Sequence, residues 1–217
     1  MIFFRRRKLH AGLTTTRLEF FSDAVFAIAI TLLVLAITVP ELSKEAISRG
    51  ELLPAILNLW PKFLSYAISF SVIGIFWVGH HIMFHYIKRS DRTLLWLNTV
   101  FLMSVSFIPF PAALIGEYGS SRVAVILYGG TLVVAGLLFE FIWFYASTGH
   151  RLVDKQLDEK LIRKASKIVL VAPVVYTIAI LFSFINPFWS RIIYIVVPLL
   201  YILPSPIDEL VEFASEK

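Results

Sequence analysis

Residues 17–39, RLEFFSDAVFAIAITLLVLAITV, form an apolar run that opens with Arg17-x-x-x-Phe21-Ser22-Asp23. About 20 consecutive apolar residues suffice for a helix to cross the hydrocarbon of a bilayer. A carboxylate within such a helix costs roughly 2.5–3.5 kcal/mol at mid-depth, so Asp23 needs a partner or a task. At about 100° per residue, Thr31, Leu32 and Leu35 all lie within about 60° of Ile28, whereas Ser22 and Asp23 lie about 120–140° away. An unbroken apolar stripe therefore runs along one face, with the polar pair turned off it. Such a stripe suits the lining of a narrow pore.

The rest of the chain extends this reading. It has 217 residues, of which 58% are hydrophobic and 16% charged, with a mean hydropathy of +0.80. A soluble core buries only about 70–75% of what the unfolded chain exposes, too little to hide so much apolar surface. The fold class expected is all-α, a polytopic membrane protein of one domain over residues 1–217. With no cysteine, disulfides and thiolate metal sites are excluded. Arg5, Arg6, Arg7 and Lys8 resemble the start of a cleavable signal. The apolar run begins well after them, contains Asp23 and lacks a small-x-small cleavage site, so it is read as a retained helix.

Hydropathy predicts six transmembrane helices, at 18–39, 61–86, 94–115, 122–147, 166–185 and 188–204. Pro40 is expected to end the first and Pro61 to open the second; Pro109 and Pro111 should kink the third, and Pro173 and Pro198 should bend the last two. The 41–60 loop carries Leu and Ile at a spacing that suits a surface helix. Basic residues alternate between the connections: fifteen of the twenty fall at the N-terminus, in the loops around Lys88 and Lys155, and at Lys217. The other five are Lys44, Arg49, Lys62, Arg122 and Arg191. The positive-inside rule then places both termini in the cytoplasm, and the net charge of +5 reports topology rather than nucleic-acid binding.

Counting residues inward from the basic ends puts Asp23, His80, His81, Asn98 and Glu140 in one slab, with Trp77 a turn deeper. This slab has two readings, an intramembrane proton or ion site and a hydrogen-bonded network that fixes helix packing. Arg17 and Asp23 are too far apart along the helix to pair well, leaving Arg17 to another helix, a lipid phosphate or the pore mouth. His81-x-x-x-His85 has the spacing of membrane di-iron enzymes. Those need many more ligands, and the chain has five histidines with no matching carboxylate motif, so no resident metal is expected. No nucleophile–base–orienter set is marked and the phosphate-binding glycine motifs are absent, so neither an enzyme nor an ATP-driven pump is expected. No Thr-Val-Gly-Tyr-Gly filter occurs. Trp60, Trp96, Trp143 and Trp189 read as interfacial or lipid-facing anchors, and Trp77 as a network member through its indole N–H.

Arg17-x-x-x-Phe21-Ser22-Asp23, the following AVFAIAITLLVL, Trp77-x-x-His80-His81 and a third span opening with LLWLN closely resemble the prokaryotic members of the transmembrane protein 175 potassium channel family. The resemblance covers the first three spans by motif, and the last three by number and hydropathy. It implies a six-helix subunit that assembles as a homotetramer in the cell membrane. Its pore would be lined by the first helix of each copy and narrowed by Ile28, Leu32 and Leu35. It implies a selectivity role for Thr31, and a polar network of Arg17, Phe21, Ser22, Asp23, Trp77, His80, His81 and Asn98 that holds the first helix against its neighbours. The lipid bilayer, other copies of the chain and potassium ions are the implied partners, with no cofactor and no metal beyond transient potassium in the pore. The alternatives are a proton-coupled transporter using Asp23, Glu140 and the His pair as a relay, and a non-transporting structural protein. Against the transporter, the first span carries neither Gly nor Pro between Arg17 and Val39, where transporters tend to break a helix at mid-membrane.

Overall fold

Prolines and side-chain caps decide most of the helix starts. The computed structural model describes residues 14–202, so Arg5, Arg6, Arg7, Lys8, the last two residues of the sixth predicted span and the acidic tail to Lys217 lie outside the described residues. α1 (Thr16–Leu32) tightens into a 3-10 turn over Leu33–Ala36. It stops there, short of the predicted Val39, with Ile37 already non-helical at φ −89°, ψ 86°. Ile37, Thr38 and Val39 are all β-branched, and the residue before Pro40 is driven from helical geometry by the proline ring.

In place of one surface helix, the 41–60 loop holds α2 (Lys44–Ser48) and α3 (Leu52–Leu57). Gly50, with φ +78°, separates them. α4 (Trp60–Tyr86) takes Pro61 into its first turn, where no hydrogen bond is lost. The third predicted span is two helices, α5 (Arg92–Phe107) and α6 (Pro109–Glu117). Pro109 and Pro111 supply no N–H to continue the ladder, so the break falls at Ile108. Asp91 caps α5 by accepting from the Leu94 N–H at 2.9 Å.

α7 spans Arg122–Ser147, matching its prediction. α8 (Glu159–Phe182) begins a full two turns before the predicted 166, because Asp158 caps it through the Lys160 N–H at 2.8 Å. Its charged first turns lower hydropathy without opposing helix. α9 spans Pro187–Ile202.

Five stretches are long and apolar enough to cross a membrane: Thr16–Ala36, Leu52–Tyr86, Arg92–Glu117, Arg122–His150 and Glu159–Phe182. α9, with 16 residues, is only about 24 Å long against a hydrocarbon core of about 30 Å. No strand occurs among the described residues; Ile87 and Val153 form one isolated antiparallel bridge.

The connections gather at two ends. At one, Arg89 Nη2 donates to the carbonyls of His150 and Val153 at 3.2 and 3.1 Å, joining the loops that follow α4 and α7. At the other, Lys62 pairs with Glu117 at 2.6 Å, and Arg122 donates to the carbonyls of Ser183 and Phe184 at 3.1 and 3.2 Å. The predicted alternation of basic-rich and basic-poor loops is thus an alternation between these ends.

α7 is the central helix and packs on α5, α6, α8 and α9. Gly136 lets Pro173 of α8 sit against its backbone: a Cβ there would lie 2.5 Å from the proline Cγ. A pyrrolidine ring within a helix cannot swing away. Gly136→Ala is therefore expected to lower stability by about 1–3 kcal/mol, the cost of overpacking a filled core. The thermal unfolding midpoint of the purified protein measures this, and an unchanged midpoint contradicts the packing described.

Candidate functional site

α1 buries Leu18, Ser22, Phe26 and Ala29, and its 3-10 extension buries Leu33. Steps of three and four residues place these on one helical face. Phe26 is 1% exposed, whereas Ile28, Leu32 and Leu35 are 60%, 43% and 70% exposed. Ala24, Ala27 and Thr31 share that open face. The Thr31 hydroxyl donates to its own Ile28 carbonyl at 2.9 Å, so its hydrogen is committed to the backbone and its remaining lone pairs are acceptors. The sequence-derived stripe is thus uncovered in the subunit, with the Thr31 hydroxyl oxygen available as an acceptor on it.

The buried face carries a directed hydrogen-bond chain. His80 of α4 donates Nε2–H to Asn98 Oδ1 of α5 at 3.0 Å. Asn98 Nδ2 then donates to Ser22 Oγ of α1 at 2.9 Å, and Ser22 donates to its own Leu18 carbonyl at 2.8 Å. All three side chains are 2% exposed or less. Around them, His80 stacks on Phe84 with centroids 4.3 Å apart and meets Phe26 edge-on at 5.6 Å. Three helices are therefore fixed in rotation and height by groups that would be costly to leave unpaired in hydrocarbon.

Asp23 lies at the edge of this face. Its Oδ1 accepts from Trp77 Nε1–H at 2.9 Å, and His81 stacks on Trp77 with centroids 6.3 Å apart. Asp23 sits between the open and buried faces of α1, which explains why it is exposed yet bonded to α4. Arg17 and Phe21 are exposed and stand apart from the buried chain within the subunit.

Two expectations change. Glu140 shares the slab by depth, but its carboxylate lies beside Ser166 of α8, and its Oε2 is buried without a partner. It joins neither Asp23 nor His80. Trp143, read as an anchor facing the interface or lipid, is buried and donates Nε1–H to the Ile162 carbonyl at 3.2 Å; Trp60, Trp96 and Trp189 are exposed.

A polar clasp at the basic-rich end was not foreseen. Tyr145 donates to Asp91 Oδ2 at 2.8 Å while Arg151 lies over the Tyr145 ring at 4.5 Å. Its readable signal was Asp91 at the cap position just before an apolar run. Among the described residues, no three His, Cys, Asp or Glu side chains cluster as metal ligands.

Apolar helices of membrane-crossing length, tied together by buried polar bonds, define an integral membrane protein. The family described as the endosomal/lysosomal potassium channel TMEM175 matches residues 17–109. A potassium channel of Chamaesiphon minutus is 38% identical over 179 residues, covering 81% of this chain and 87% of that one. A potassium channel of Streptomyces collinus is 44% identical over 147 residues, covering 65% and 69%. The crystal structure of a lysosomal potassium-selective channel TMEM175 homolog from Chamaesiphon minutus superposes with a TM-score of 0.78 at 35% identity, covering 88% of this chain and 98% of that one. The chain belongs to the TMEM175 family, whose members are ion channels and not enzymes.

Proposed function

We propose that this chain is a potassium-selective cation channel that conducts passively through a homotetrameric pore. α1 of each copy lines the axis, and Ile28, Leu32 and Leu35 form its hydrophobic constriction. The observation that carries the reading is the uncovered Ile/Leu stripe on a helix whose polar groups are bonded on the other side. Four such stripes facing one another make a dry neck that ions cross when it widens and wets. Potassium sheds its hydration shell more cheaply than sodium, and the Thr31 acceptors replace part of that shell. The polar network, including Arg17 and Phe21 at its rim, acts as the scaffold that orients α1.

In this reading residues 1–217 form one domain of six spans, with α9 as the sixth, both termini in the cytoplasm and the chain in the cell membrane. It uses no cofactor, and potassium is the permeant ion. The proton-coupled alternative needs Glu140, Asp23 and the His pair in one relay. Glu140 lies on the α8 side of α7 beside Ser166, with its Oε2 buried and unpartnered, which argues against it.

Purified protein in liposomes tests the proposal. Potassium flux should exceed sodium flux, rise with the potassium gradient without saturating and ignore an imposed pH gradient. Saturating flux that tracks pH supports the transporter instead, and absence of any flux overturns both. Mass measurement of the detergent-solubilised particle checks for four copies.

A further inference from the structure

At the end where Lys62 pairs with Glu117, a crevice opens between the first turns of α4 and α9, with α6 and α7 also contributing to its walls. Most of its polar lining is bonded within the subunit. Ser65 donates to the Ala112 carbonyl at 2.6 Å, Tyr128 shares a hydrogen bond with Ser69 at 3.0 Å, and Tyr194 donates to the Val125 carbonyl at 3.0 Å. Arg191, in the second turn of α9, is the exception. Its Nε is buried without an acceptor, and packing alone seats the side chain. The guanidinium lies over the Phe188 ring at 5.9 Å, and it passes so close to Gly119 that a Cβ there would lie 3.1 Å from Nη1.

The charges on α4, α6, α7 and α9 at this level are Lys62, Glu117, Arg122 and Arg191. Lys62 and Glu117 neutralise each other, and Arg122 donates to the carbonyls of Ser183 and Phe184. That leaves Arg191 with no ion pair among the described residues. Trp60, exposed at the start of α4, supplies a second N–H to the same crevice. Both groups can only donate, so the matching headgroup is an anion rich in acceptors. Deeper in, the lining is apolar: Leu64 and Ile68 follow on α4 and Ile195 on α9. Ile68 lies roughly 12 Å past Trp60 at 1.5 Å per residue. An anion joined to hydrocarbon fits this order. Arg and Trp mark the headgroup level of a bilayer, where phosphate is the anion at hand and a guanidinium fork matches it well. A zwitterionic headgroup would bring a second cation beside the unpaired guanidinium, so charge favours a lipid with net negative charge.

We propose that this crevice binds an anionic phospholipid of the leaflet at the basic-poor end, its phosphate accepting from Arg191 and Trp60 and one acyl chain lying against Leu64 and Ile68. To call that leaflet the outer one rests on the topology proposed above; the site itself does not depend on conduction.

Native mass spectrometry of the full chain in detergent, titrated separately with phosphatidylglycerol and phosphatidylcholine, tests the site. Wild type should retain phosphatidylglycerol preferentially. Arg191→Gln should lower that preference about fivefold, the share of attraction that one basic residue contributes at an anionic lipid surface, and Arg191→Lys should keep most of it. Lys44→Gln removes an exposed charge at the same end but outside the crevice and should change nothing. Leu64 is exposed, so Leu64→Trp should fold while filling the groove, and should bring retention of phosphatidylglycerol down to that of phosphatidylcholine.

Equal retention of both lipids by wild type overturns the headgroup assignment. Equal losses in Lys44→Gln and Arg191→Gln overturn it in favour of diffuse charge attraction. Unchanged retention in Leu64→Trp overturns the crevice assignment, even if Arg191→Gln fails to fold. Loss of assembled particle in Arg191→Gln, with no lipid preference in wild type, overturns the lipid site and gives Arg191 to a carboxylate of another copy. Protein that conducts potassium yet retains no phosphatidylglycerol overturns this site alone, and protein that retains the lipid and passes no potassium overturns the channel reading alone.

Discussion

Ile28→Asn and Leu32→Asn should each raise potassium leak in liposomes at least about tenfold, because lowering the crossing barrier by only about 1.4 kcal/mol already gives that factor. A hydrophobic neck excludes ions by expelling the water that hydrates them. In the homotetramer proposed above, symmetry multiplies the change, since one substitution introduces a carboxamide from every copy at the same depth. Ile28 and Leu32 are exposed in the subunit, so neither substitution removes a contact that holds the fold together, and the variants should melt near wild type. Leu33, one residue on, is 2% exposed and provides the contrast: Leu33→Asn should damage folding. Unchanged flux in folded Ile28→Asn and Leu32→Asn would sink the pore assignment.

That contrast was legible because α1 keeps one helical period through Ile28 and Leu32, although Leu35 lies beyond it in the 3-10 turn. Depth along a helix and rotation about it are both computable from sequence, and they separated Ile28 from Ser22 correctly. What one helix cannot reveal is which neighbour stands on which side. Glu140 was placed at the depth of His80, but Phe139 packs its ring against Phe101 at 5.3 Å. The next residue, rotated about 100° around the helix, is turned to α8. The reading of Trp143 fails for the same reason: it falls on the buried side of α7, whose exposed face is made by Val134, Leu137, Phe141 and Phe144.

Ends were legible where a proline or cap acts locally, as at Pro61 and Pro109. They were lost where hydropathy and helicity part company. The first turns of α8 are charged yet helical, while Ile37, Thr38 and Val39 are apolar yet not helical. In the candidate site, counting set His80 and Asn98 at one depth, whereas Ser22 came only with the resemblance to the family. The exposure of Arg17 and Phe21 did not follow, because a motif gives no orientation to its individual members.

The buried chain makes the second large effect predictable. Asn98→Leu should cost about 1–3 kcal/mol, the penalty for a buried polar group left without its partner. The loss is unequal at the two ends. Ser22 still donates to the Leu18 carbonyl at 2.8 Å, whereas the His80 Nε2–H loses its Asn98 acceptor. Hydrogen bonds measured between membrane helices average only about 0.6 kcal/mol, because the unfolded reference also finds partners. A cost above that average exceeds a lost bond and leaves two sources, the orphaned imidazole and repacking around residue 98.

Replacing both partners separates the causes. His80→Phe keeps a ring between Phe84 and Phe26 and removes the donor, so Asn98→Leu/His80→Phe should recover most of the stability lost in Asn98→Leu. Thr99→Ala is the control: Thr99 is exposed and bonds its own Leu95 carbonyl. Thermal unfolding in detergent, read together with the fraction of assembled particle, measures all four proteins. If the double variant melts no higher than Asn98→Leu, the cost lies in repacking around residue 98, and the hydrogen-bond chain does not hold α1 in register.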